Sequence, residues 1–147
     1  MRPLLLLVTM FFVGSVAISA GGTPIIVETR SPAVGADGRL VESVGLETIG
    51  GVFTPLLEVG CLLPCTSGQI FTTAADFQSQ ITISLFRGTA GVVAEVKPLG
   101  RFRVEGIPPM GRGLPQVSIV LSTSGNDLVL EARDASTREP YPIVRVP

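Results

Sequence analysis

The chain has 147 residues and a net charge of −1, and it is 46% hydrophobic but only 5% aromatic, with no tryptophan and no histidine. That size suits one domain with a modest core of Val, Ile and Leu. A near-neutral chain without a Lys/Arg run lacks the basic surface that nucleic acid requires, and the absence of His removes Ser-His-Asp and Cys-His catalysis together with the usual general base.

Residues 1–20 read as a secretory signal peptide. Arg2 supplies the positive start, "PLLLLVTMFFVGSVA" the apolar stretch, and small residues ending at Ala17 or Ala20 the cleavage site. The expected location is therefore secreted or periplasmic, and a membrane enters only if this segment stays uncleaved. Residues 21–40, "GGTPIIVETRSPAVGADGRL", mix Gly, Pro and charge and read as a linker, in which "TPIIVET" can add an edge strand. Being apolar, β-branched and tethered, that segment is also a candidate to occupy a binding channel of its own or a neighbouring molecule. Residues 41–147 form the remaining domain.

Within it, "VGLETIGGVFTPLL" reads as strand interrupted by Gly50 and Gly51, a place where the backbone must bend or something must approach closely. Cys61 and Cys65 follow in "CLLPC". Extended, the pair lies too far apart to bridge; turned at Pro64, the two can meet within about 7 Å. Metal is a poor reading, because two thiolates without His do not complete a zinc site. "SQITISLFRG" alternates with Ile81, Ile83 and Leu85 on one face and Thr82, Ser84 and Phe86 on the other. "GRFRVEGI" turns Phe102 and Val104 inward and Arg101, Arg103 and Glu105 outward. "PQVSIVLST" and "NDLVLEARD" make a hairpin across a turn-rich link. No helical period appears after the signal. Short strands punctuated by Gly and Pro predict an all-β fold, an antiparallel β-sandwich. No phosphate-binding GxxxxGK[ST] motif or paired-carboxylate motif is present, so no enzyme, nucleotide site, metal or other cofactor is expected.

"GLETIGGVFTPLL", "SGQIFTTAADFQSQITISLFRG", "LGRF", "GIPPMGRGLPQV" and "LVLEARD" occur in that order. Over about Ser43 to Asp134 they resemble the substrate-binding β-sandwich of the seventy-kilodalton heat-shock chaperones, the DnaK-type family. The resemblance implies a channel that holds an extended peptide and buries one apolar side chain. Leu46, Thr48 and Ile49 would line it from the first strand and its loop, and Phe71, Thr73 and Ala74 from "IFTTAAD". Ile81, Ile83 and Val117 would form the central pocket, with Ile49 and Ala74 arching over the peptide backbone. Gly50 and Gly51 would let the arch loop turn sharply. Arg112 matches a family arginine that latches a helical lid.

The sequence also departs from that family. Its nucleotide-binding domain, interdomain linker and helical lid are not recognisable here. Ile49 stands where Met or Ala is common, and Ile81 is one methylene larger than the usual Val, so the channel should differ in shape. These features together predict a nucleotide-independent module, a holdase or recognition domain, whose partners are extended apolar peptides or unfolded polypeptides. The competing expectation is a structural or adhesion sandwich with an occluded channel, or a truncated chaperone remnant.

Overall fold

The computed structural model describes residues 24–28, 34–124 and 127–147; the signal peptide and the tip of the "TSGND" turn lie outside the described residues. Among the described residues the strands are β1 (Ile25–Glu28), β2 (Ser43–Thr48), β3 (Val52–Leu57), β4 (Thr66–Thr72), β5 (Ile81–Gly88), β6 (Lys97–Val104), β7 (Gln116–Ser124), β8 (Asp127–Asp134) and β9 (Ile143–Val146), with a 3-10 turn at Val93–Glu95. They form two antiparallel sheets packed as a sandwich, ordered β1-β8-β7-β4 and β3-β2-β5-β6-β9. The fold class expected from the alternating pattern is thus the one observed.

Alternation decides what fills the space between the sheets, because successive side chains on a strand face opposite ways. Val117, Ile119 and Leu121 of β7 and Leu128 and Leu130 of β8 are fully buried on one inner face, and Leu85, Phe102 and Val104 on the other. Each Leu or Ile so enclosed contributes about 1.5–3 kcal/mol.

The segment expected to be a linker is partly built into the domain. β1 pairs with β8, Ile25 opposite Leu130, and Val27 enters the core. Of the two roles open to "TPIIVET", edge strand and channel occupant, Ile25–Glu28 take the first, on the β8 edge. Arg145 of β9 secures it. Its guanidinium donates to Val27 O at 2.5 Å and to Leu99 O at 3.2 Å, and lies 4.7 Å over the Phe102 ring. Residues 35–39 form a tight turn in which Gly35 N donates to Arg39 O. It is pinned to the cysteine loop by Leu40 N donating to Cys61 O and Leu63 N to Gly38 O. Cys61 and Cys65 are bridged, with Cα atoms 6.4 Å apart, which resolves the open question in favour of the turned form.

Gly45 is needed for close approach. The β2–β3 register slips between Val44 and Gly45, bringing Gly45 opposite Pro55. A Cβ on Gly45 would overlap the Thr54 carbonyl oxygen and sit 2.5 Å from Pro55 Cα. Proline is acceptable there because β3 is a sheet edge.

The turn after β8 carries a coupled pair of acids. Asp134 accepts the Thr137 and Ser136 backbone N–H groups, which hold its carboxyl below the ordinary value, and it accepts the Tyr141 hydroxyl at 3.0 Å. Burial, reinforced by that carboxylate, pushes the Tyr141 phenol up to about 12 from 10.0. The folded protein therefore keeps a proton that the unfolded chain gives up. Stability from this group is complete below pH 10.0 and should be lost as pH rises through about 12. Tyr141 is the sole tyrosine. Its ultraviolet titration should accordingly have a midpoint near 12 in the folded protein and near 10.0 in denaturant; coincident midpoints would refute the coupling.

Candidate functional site

β2 and β5 run side by side only from Ser43↔Gly88 to Leu46↔Leu85. Beyond that pair β2 continues to Thr48 bonded to β3 alone, while Ile81–Ser84 of β5 are bonded to β6 alone. The two strands splay, and a cleft of about 550 Å³ opens between them. Glu47, Thr48 and the Ile49–Gly51 loop form one wall, and Thr82 and Ser84 the other; Phe71 and Thr72 of the opposite sheet also border it. Glu47 is the only charged group on this lining.

The loop between β2 and β3 is a β-turn in which Gly51 N donates to Thr48 O at 3.2 Å. Gly50 and Gly51 have φ of +88° and +73°, values that L side chains adopt only with strain. A Cβ on Gly50 would meet nothing within 4 Å. The glycines thus serve backbone conformation and not close packing, which settles the local question the pair raises. The turn is braced from both sides. Thr48 Oγ1 and Thr54 Oγ1 share a hydrogen bond of 2.9 Å, and Val93 N donates to Gly51 O at 3.0 Å. At its tip Ile49 is 99% exposed.

The loop after β4 is equally constrained. Gly113 N donates to both the carbonyl and the hydroxyl oxygen of Thr73, Arg112 N to Asp76 Oδ1, and Phe77 N to Met110 O. Gln78 Oε1 accepts the N–H groups of Ala74 and Ala75. These bonds lash the loop to the β6–β7 connection, so the cleft is bordered by elements held in place.

The nine residues named from the sequence divide into groups. Thr48, Ile49 and Phe71 meet on the cleft. Leu46, Ile83 and Val117 lie in the closed core, on the inner side of the alternating pattern. Ile81 is half-buried against that core and paired with Val104. Thr73 is buried, with its hydroxyl on the Gly113 N–H. Ala74 is exposed on its loop. Ile49 and Ala74, the two residues expected to arch over a peptide, are both exposed, each on its own loop. Thr82 and Ser84 were missed as cleft residues because alternation assigns them only to an outer face. Finding them requires knowing where the β2–β5 ladder stops, which no local pattern encodes. Arg112 acts through its backbone N–H, and its side chain is exposed.

Among the described residues no group of three or more acidic, His or Cys side chains is placed to hold a metal ion, and no helix is long and apolar enough to cross a membrane. In comparison with known protein families, the family model described as Hsp70 protein matches residues 40–143. The match covers β2 to the start of β9 and leaves β1 outside it.

Proposed function

Since the chain belongs to the Hsp70 family, we propose that it binds extended apolar segments of other polypeptides in the cleft between β2 and β5. The observation that carries this reading is the splay beyond Leu46↔Leu85, a gap in a sheet whose two walls lack each other as partners. An extended peptide entering it makes main-chain hydrogen bonds as an added strand does, while one apolar side chain packs toward Phe71. Burying a Leu or Ile there contributes about 1.5–3 kcal/mol. Association costs several kcal/mol, so the affinity is roughly micromolar, about −8 kcal/mol. The function is binding, with no catalytic step: a holdase or recognition module acting without nucleotide.

The place of action in this proposal is outside the cytosol. The apolar N-terminal stretch and the Cys61–Cys65 bridge support it, since disulfides persist in oxidising compartments. Mature protein beginning near Ile18 or Gly21 checks the export step; recovery of Met1 from membranes would speak for an anchor.

Fluorescence anisotropy with a labelled Leu-rich heptapeptide tests the binding itself. The expected result is saturable binding, lost when the central Leu is replaced by Asp and unchanged by ATP or ADP with magnesium. Equal affinity for the Leu and Asp peptides would refute an apolar cleft.

A further inference from the structure

Each sheet has two edge strands, and an edge is a row of unpaired backbone groups that proteins usually protect with charge, proline, a bulge or a covering loop. Three of the four edges are protected. β1 and β9 are each four residues long, and β9 carries Arg145. β3 contains Pro55 and is covered by the β5–β6 loop, where Phe53 N donates to Gly91 O and Val52 bridges Val92. Among the described residues β4 has none of these devices. Its seven residues, "TSGQIFT", include no charge and no proline, and its register with β7 runs unbroken from Thr66↔Ser122 to Thr72↔Gln116.

The phase of that ladder says which groups are available. Thr123 N donates to Cys65 O, so the backbone of Cys65 faces β7. Alternation then turns the N–H and C=O of Ser67, Gln69 and Phe71 toward β7, and those of Thr66, Gly68, Ile70 and Thr72 toward the open edge. Among the described residues these four make no backbone hydrogen bond outside the ladder.

We propose that β4 pairs with β4 of a second copy of this chain, antiparallel, about a two-fold axis through Gln69. Three observations select this occupant. First, pairing identical strands in opposite directions about Gln69 sets Gly68 against Ile70 of the other copy and Thr66 against Thr72. All four open residues then meet open residues, and every available N–H and C=O is used. Second, the side chains fit the same axis. Ile70 is 55% exposed, whereas Gly68 presents no side chain on the same face, and Val120 leans over it so closely that a Cβ would lie 2.9 Å from Val120 Cγ2. Ile70 of each copy therefore packs over Gly68 and against Val120 of the other, and the contact repeats by symmetry as an isologous interface requires. Third, no like charges meet anywhere along the strand. The product is one continuous eight-stranded sheet across two sandwiches. Because Thr72 also borders the cleft, the second copy's Thr66 lies beside the binding site.

Sedimentation velocity of the purified protein over a concentration series tests this. The sedimentation coefficient should rise with concentration, and Ile70→Lys should weaken self-association by at least about tenfold, as a charge on an edge does. The melting temperature and circular dichroism of that variant should match the wild type, since Ile70 is largely exposed. Gln69→Cys fixes the register: paired non-hydrogen-bonded residues have Cα atoms about 4.5 Å apart, within disulfide reach. It should give a covalent dimer on oxidation, whereas Ser67→Cys, which faces Phe71 of the second copy, should not. A monomer at every concentration, or a dimer indifferent to Ile70→Lys, would overturn the proposal. Cross-linking through Ser67→Cys in place of Gln69→Cys would overturn it too, as would capture by Gln69→Cys of a cysteine-bearing peptide instead of its twin.

Discussion

Replacing Thr82 with tryptophan should weaken binding of the Leu-centred heptapeptide by about 10- to 150-fold, the equivalent of the 1.5–3 kcal/mol or so that a buried Leu contributes. Thr82 is an exposed residue on the β5 wall of the cleft, paired in the ladder with Arg103 and outside the core. An indole there fills the space between the splayed strands without displacing any buried side chain. The thermal midpoint should therefore stay at the wild-type value while the anisotropy signal is lost. Undiminished affinity in a folded Thr82→Trp protein would move the binding site away from the β2–β5 cleft.

Gly45→Ala is expected to have the largest effect on stability, a loss of about 3 kcal/mol, at the upper end of the usual range for overpacking. The new methyl would strike the Thr54 carbonyl and the Pro55 backbone, neither of which can rotate aside as a side chain does. For a domain of this size such a loss lowers the melting temperature by about 10–20 °C. Urea and thermal unfolding of the variant measure it directly. Because Gly45 seats the hairpin that presents Ile49, peptide affinity should fall as well, through the loop and not through lost contact. An unchanged melting temperature would show that the β2–β3 bulge can shift to admit a side chain.

Much of this architecture is legible in local pattern. "SQITISLFRG" and "GRFRVEGI" alternate, and the residues turned inward by that alternation, Ile83, Leu85, Phe102 and Val104, are buried. β9 is not legible in the same way. "IVRV" is four residues long and is stabilised by Arg145, whose partners Val27 and Leu99 are remote in sequence. β4 is hidden for a different reason: an edge strand with polar residues on both faces shows no period. The cleft was half visible. The Gly50–Gly51 pair marks the turn that carries its rim; of the residues named from the sequence, Thr48, Ile49 and Phe71 border the cleft and Leu46, Ile83 and Val117 are buried between the sheets. Apolar residues on an inner face and apolar residues on a cleft wall have the same local signature. Only the point at which two strands part company distinguishes them, and that is set by long-range register.

The Arg145 clamp also orders events in time. It reaches across 118 residues to hold Val27, and β1 has its ladder partner, β8, at a comparable remove. A chain synthesised from its N-terminus makes Ile25, Ile26 and Val27 early and everything that can shelter them late. Closing so long a loop is entropically costly, and such distant pairing slows folding relative to local contacts. An early-made strand thus waits on late-made partners before it can dock. The other strands can assemble around their own hydrophobic faces, while β1 gains its Arg145 contact only once β9 has emerged. Until then, both the apolar β1 and the bare edge of β8 are open to association with other chains. Docking of β1 therefore draws on a residue far downstream: a chain cleaved before β9 lacks the Arg145 guanidinium that bonds Val27 O.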